Sequence, residues 1–255
     1  MLLVDVHAHL DFPDYKDDLP LLLADWYSKG LRSVIVNGVH PESNRQVLSL
    51  SQKYPLIKSA LGYYPTHVIE VSEEAFDTEI AWIEKQNPIA LGEVGLDYKN
   101  SDENPFGDEK AKEMKAGFAK IIALAEKKKI PLIVHSRKAE EDVVDMLESS
   151  HAKKVVMHCF MGKKTLLKRI IDNGWSTSIP CLITRSHQFQ DMARMQDLSK
   201  ILTETDAPYL SPYSDIKRNE PPFVIETIKK IAEIKRMDAE EVANNVWKNY
   251  QEMFL

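Results

Sequence analysis

The chain has 255 residues, 44% of them apolar and 28% charged. That is an ordinary globular balance and a length suited to one (β/α)8 barrel of about 250 residues. No apolar run reaches the roughly 20 residues that span a bilayer. The net charge of −6 excludes a broad basic nucleic-acid clamp, though not a nuclease, because bound cations would make a site locally positive.

Strand and helix patterns alternate from end to end. Short apolar runs predict eight buried parallel strands over 2–9, 33–39, 57–62, 89–95, 132–136, 154–159, 175–179 and 200–205. Helical spacing predicts helices between them, over 17–29, 41–54, 72–86, 110–129, 140–149 and 163–173, the last stopped by Gly174. Helices over 222–236 and 239–253 follow the eighth strand. With no Gly-rich linker or composition break, residues 1–255 read as a single domain. The expected fold is an α/β, closed (β/α)8 TIM barrel with an extra C-terminal helix on its outside. A doubly wound open sheet would need a Gly-rich phosphate turn after the first strand, where this chain has His7-Ala8-His9. The turn-rich segment 99–107 would lie over the barrel mouth or form a plain surface connection. The chain opens directly into a strand, without a basic or apolar leader, which points to the cytoplasm. Two cysteines make no disulfide framework. Both are expected as small buried apolar groups, with Cys159 turned away from the barrel if His158 points into it.

Five polar insertions end apolar runs: Asp5-Val6-His7-Ala8-His9, Gly92-Glu93-Val94-Gly95, Val134-His135-Ser136, Met157-His158-Cys159 and Glu204-Thr205-Asp206. His7 and His9, two apart on a strand, share a face about 6.6 Å apart along the chain, within reach of one ion at about 2 Å. Asp5 lies about 13 Å below His9 by the same rise and is expected to support the site or pack in the interior. Glu93, flanked by glycines, is suited to bridge two cations, with His135 and His158 on the second. Asp206 ends the last strand. Singly, each has a structural alternative in a salt bridge or a helix cap. Six such groups at one end of five strands are hard to reconcile with packing, because buried ionisable groups are costly unless paired or metal-bound. Oxygen and nitrogen donors without thiolate suit two divalent metal ions, Zn, Mn, Mg or Co.

The strand series His-x-His, carboxylate, His, His, Asp resembles the amidohydrolase superfamily. Val4-Asp5-Val6-His7-Ala8-His9-Leu10, Leu91-Gly92-Glu93-Val94-Gly95-Leu96-Asp97-Tyr98, Val134-His135-Ser136-Arg137, His158-Cys159-Phe160 and Glu204-Thr205-Asp206-Ala207-Pro208-Tyr209-Leu210 closely resemble the TatD family of metal-dependent deoxyribonucleases, as do Arg218-Asn219-Glu220-Pro221 and Asn245-Val246-Trp247. One departure stands out. The family's Gly-x-His-Pro after the third strand reads Gly62-Tyr63-Tyr64-Pro65-Thr66-His67 here. Tyr64 takes the place of a histidine expected near substrate, with His67 three residues on.

The resemblance implies phosphodiester hydrolysis, as an exonuclease acting on single-stranded DNA ends. It places His7, His9, Glu93 and Asp206 at one metal and Glu93, His135 and His158 at the other, with Asp206 orienting water and accepting its proton. Arg137, Arg185, Arg218 and Asn219 are candidates for phosphate, and Tyr63, Tyr64 and Tyr98 for stacking on bases. Lys163 and Lys164 read more readily as solvated charges, and Lys127–Lys129 as the solvated bottom of the barrel. Two readings compete: a hydrolase of small amides, lactones or phosphate esters on the same barrel, and a binding module descended from a hydrolase.

Overall fold

The computed structural model describes residues 1–99 and 107–255. Eight strands lie side by side in sequence order, β1 (Leu3–Ala8), β2 (Leu31–Asn37), β3 (Ile57–Leu61), β4 (Ala90–Asp97), β5 (Leu132–Arg137), β6 (Val155–His158), β7 (Ser176–Pro180) and β8 (Ile201–Glu204). Each neighbouring pair is parallel. The sheet closes through a bridge between Ala8 and Ala207. There the Asp206 N–H donates to the His7 carbonyl at 2.9 Å and the His9 N–H to the Ala207 carbonyl at 2.7 Å. The result is a (β/α)8 barrel.

The strands are buried almost end to end, as strands covered on both faces must be. Their outer faces are covered by α1 (Leu19–Ser28), α2 (Pro41–Lys53), α4 (Glu73–Lys85), α5 (Asp108–Lys128), α6 (Glu140–Glu148), α7 (Lys164–Asp172), α8 (His187–Met195) and α9 (Val224–Lys235). A single turn, α3 (Pro65–Val68), follows β3. The last helix, α10 (Ala239–Phe254), lies on the outside near the barrel seam. Its Tyr250 hydroxyl meets Ser33 Oγ at 2.8 Å, and its Asn249 amide donates to the Leu198 and Ile201 carbonyls.

The expected eight strands and the outer C-terminal helix are all present. Two helices were not foreseen. α3 is a single turn, and α8 buries Gln190 beside Phe189, Met192 and Ala193, so its inward stripe is partly polar. β2 starts two residues earlier than its apolar run, because Arg32 continues the strand while its guanidinium reaches back to the Tyr27 carbonyl. Residues 100–106 of the expected 99–107 connection lie outside the described residues. Lys127 and Lys128 are anchored to Glu84 and to the Glu84 and Gln86 carbonyls, away from the mouth. Among the described residues no helix is long and apolar enough to cross a membrane.

Candidate metal centre

The six predicted residues meet at the C-terminal end of the barrel, the end where functional groups of this fold gather. β1 and β4 each carry one extra residue relative to their neighbours just there, between Asp5 and Ala8 and between Leu91 and Val94. Such bulges re-aim side chains. Gly95 allows the tight pairing beside Glu93: its φ is +138°, and a Cβ would sit 2.0 Å from the His135 carbonyl oxygen.

Four donor atoms converge. The Nε2 atoms of His7 and His9 are 3.3 Å apart. Glu93 Oε2 lies 3.4 and 3.5 Å from them, and Asp206 Oδ1 3.7 and 3.5 Å. These separations exceed good hydrogen-bond lengths of about 2.7–3.2 Å. Within each trio built on the two imidazoles they match the edges of a tetrahedral site, about 3.4 Å for ligands at about 2.0–2.1 Å; the donors of His7, His9 and Asp206 form one group within 4.8 Å of one another, and those of His7, Glu93 and His158 another. The donor set therefore fits a divalent cation. A second group forms on the other oxygen of Glu93. His135 Nδ1 is 2.7 Å and His158 Nε2 3.9 Å from Glu93 Oε1. The spacing of this group is less even.

Each outer ring nitrogen but one has a partner that fixes the tautomer. His9 Nδ1 donates to the Asn37 carbonyl at 3.1 Å. His158 Nδ1 meets Glu204 Oε2 at 2.7 Å. His135 Nε2 faces Asp97 Oδ2 at 3.3 Å and the Tyr64 hydroxyl at 3.2 Å. Each arrangement turns the other ring nitrogen inward, where it can bind a cation once it has given up any proton. His7 Nδ1 is buried without a partner. The His7 and His158 rings stack at 3.5 Å. Burial holds both imidazoles below their ordinary pKa and so neutral, and for His7 the stacked ring of His158, which would repel a second positive charge, adds to it. Burial would raise the Glu93 carboxyl, but the imidazoles of His7, His135 and His9 outweigh it and keep the group well below its usual range. Asp206 behaves likewise, held down by His9, His158 and His7 against its burial. Asp5 supports from below, accepting the backbone N–H groups of His7 and Thr205 and the Thr205 hydroxyl.

A cleft of about 870 Å³ opens over this centre. Tyr64, His67 and Arg137 line it. Tyr64 donates to Asp97 Oδ2 at 2.7 Å, and His67 Nδ1 donates to the Val39 carbonyl. Arg137 is exposed, and its guanidinium makes no hydrogen bond or ion pair with another described residue, in contrast to those of the other candidate arginines.

Several expectations are corrected. Arg218 does not line the cleft: its guanidinium binds Asp18, Glu220 and the Asp14 carbonyl and lies over the Tyr15 ring. Asn219 is buried and spends its amide on the Thr205 and Tyr209 carbonyls and its oxygen on the Glu220 N–H. Arg185 is also outside the cleft and bonds the Ser211 carbonyl. Tyr63 packs on Phe76 in the core, and Tyr98 donates to Asp142. Lys164, in contrast, is the solvated charge expected, 70% exposed and paired with Asp191. Cys159 faces the cleft rather than away from it, because β6 ends at His158 and Cys159 takes a left-handed φ of 43°. Asp97, Glu204 and Lys138 belong to the site region and were missed. Both acids were visible as carboxylates inside apolar runs, and Lys138 directly follows Arg137.

Comparison with known proteins identifies the family. Residues 4–255 match the model of the TatD related DNase family. The chain is 30% identical over 262 residues to the uncharacterized metal-dependent hydrolase YabD of Bacillus subtilis, covering 99% of each. It is 26% identical over 238 residues to the 3'-5' ssDNA/RNA exonuclease TatD of Salmonella typhimurium, covering 89% of each. The solved structure of the TatD homologue YjjV of Escherichia coli superposes with a TM-score of 0.88 at 25% identity, over 99% of this chain and 97% of that one. On the match over nearly its whole length, the chain belongs to the TatD-related DNase family of metal-dependent hydrolases.

Proposed function

We propose that the chain is a deoxyribonuclease that hydrolyses phosphodiester bonds at the ends of single-stranded DNA, with two divalent cations, Zn, Mn, Mg or Co, held at this centre. The carrying observation is the pair of imidazole nitrogens of His7 and His9 3.3 Å apart, with a carboxylate oxygen of Glu93 and one of Asp206 each 3.4–3.7 Å from both, and a second histidine pair on the far oxygen of Glu93. His7, His9, Glu93 and Asp206 would hold one cation, and Glu93, His135 and His158 the other. Cations bound there supply Lewis acidity to a phosphoryl oxygen and lower the pKa of water.

The remaining chemistry belongs to the chain. Asp206 is held ionised and its side chain keeps 19% of its surface exposed, so its carboxylate is placed to orient a water molecule and accept its proton. Arg137, with Lys138 beside it on the cleft wall, offers a planar bidentate grip for a phosphate. His67 and Tyr64 line the same wall. The cleft volume lies within the range of small-ligand sites, about 300–1,000 Å³, so it admits one or two nucleotides. That favours a strand end already free of its duplex partner, since unstacking a base costs a few kcal/mol.

The test is digestion of end-labelled DNA and RNA strands with each cation in turn, with and without EDTA. Cation-dependent release of mononucleotides from DNA, abolished by EDTA, is expected. No release with any cation, alongside turnover of a small ester or lactone, would overturn the reading.

A further inference from the structure

The cleft is divided by the order of the strands around the barrel. The arc from β2 to β5 supplies its polar wall and, among the described residues, both of its basic side chains, Arg137 and Lys138. The arc from β6 through β7 and β8 to β1 supplies, apart from the donor residues, only Phe12, Cys159, Met161, Leu182, Phe189, Tyr209 and Leu210. Within this arc a line of rings leads outward from the centre. His9 stacks on Phe12 at 4.8 Å and 18°, and Phe12 meets Tyr209 edge to face at 6.2 Å.

Tyr209 is 55% exposed, yet its backbone is fixed. Its N–H donates to the Asp206 carbonyl at 2.9 Å. Its carbonyl receives the amide of buried Asn219 at 2.7 Å, and the same amide ties down Thr205. The loop therefore presents a large aromatic ring to solvent at the cleft rim, three residues from Asp206.

We infer that Tyr209, backed by Phe12, is a stacking platform for the nucleobase next to the bond being cut, while the opposite arc holds the phosphates. Aromatic rings bind bases with little sequence preference, because every base has a π-face. The platform makes Tyr209 a determinant of nucleic-acid substrate over small phosphate esters. It rests on the chain being a nuclease.

The test uses the cation-loaded enzyme and two single-stranded oligonucleotides. They differ only in whether the terminal nucleotide carries its base or is abasic. Stacking of one base predicts a kcat/KM at least about fivefold lower on the abasic strand for the unaltered enzyme. Tyr209→Ala loses the same factor on the natural strand, mainly through KM, and adds less than about twofold on the abasic one, while Tyr209→Phe retains the preference. Equal rates on the two strands, or an equal Tyr209→Ala loss on both, would overturn the platform and leave the nuclease reading standing. No cleavage of either strand by the unaltered enzyme would remove both.

Discussion

Glu204 offers a perturbation whose two effects have opposite signs. The residue is fully buried, its Oε2 meets His158 Nδ1 at 2.7 Å and accepts the Ser178 hydroxyl, and its Oε1 has no partner. Burial pushes its pKa from 4.5 up to about 8. In the cation-free protein at pH 7 the folded state therefore holds a proton that the unfolded state has released. A raised carboxyl pKa makes stability fall as pH rises between these two values, by about 1.4 kcal/mol per unit. The loss reaches about 3 kcal/mol at pH 7. Glu204→Gln keeps the shape and removes the titration, so the variant in EDTA should be up to about 3 kcal/mol more stable at pH 7, with the advantage vanishing toward pH 4. Cation binding should move the other way. An ionised Oε2 holds the proton on His158 Nδ1 and the lone pair on Nε2, whereas an amide can present either end. Replacing a charged hydrogen bond by a neutral one loses about 1–1.5 kcal/mol, or about tenfold in affinity, at the low end of the range for such outer partners. Urea denaturation in EDTA from pH 4 to 8, paired with calorimetric titration of Zn or Mn, reads both quantities. A variant that binds cations as tightly as the parent, or whose stability follows pH with the parent's slope, refutes the assignment.

Other perturbations separate the centre from its frame. Glu93→Ala and His135→Ala should each lower the hydrolytic rate by at least about a thousandfold with circular dichroism and melting cooperativity retained; an active Glu93→Ala enzyme would remove the bridging role. Cation affinity should weaken as pH falls, because hydrogen bonds donated to nearby carboxylates outweigh burial and raise His9, and raise His135 to about 9, so an entering cation displaces protons. Titration in buffers of different ionisation enthalpy should show that proton release, and an affinity flat from pH 6 to 8 would contradict it. Gly95→Ala should destabilise by about 3 kcal/mol or more, since the added carbon would meet the His135 carbonyl oxygen; an unchanged melting temperature would deny that contact. Arg137→Ala should raise KM about tenfold with metal content intact, whereas Arg218→Ala should cost about 1 kcal/mol of stability and leave KM alone. The reverse pattern would restore Arg218 to the substrate.

The barrel was legible because buried parallel strands leave unbroken apolar runs, and a His or Glu at the end of such a run has few structural uses. The same logic brought His7, His9, Glu93, His135, His158 and Asp206 together across five strands. It failed where direction, rather than composition, decides. Cys159 was assigned by strand alternation, but the strand stops one residue earlier and the backbone turns left-handed. Arg218 and Asn219 sit in a string typical of the family, yet their polar atoms point into the protein, where Asp18 and the 205–209 turn occupy them. α8 escaped because Gln190 interrupts its inward stripe. Asp97 and Glu204 went unassigned because a carboxylate that grips an imidazole from behind leaves the same letters as one that faces a cation.

The bonds that close the barrel are made by the backbones of His7, His9, Asp206 and Ala207. The first and last staves are thus joined by the residues that supply two imidazoles and a carboxylate to the centre. During synthesis a nascent chain that has not yet extended past Ala207 has neither a sealed cylinder nor a full coordination set. Hydrolytic competence therefore arrives late in translation and all at once, so a ribosome-bound fragment is spared an exposed, half-built nuclease.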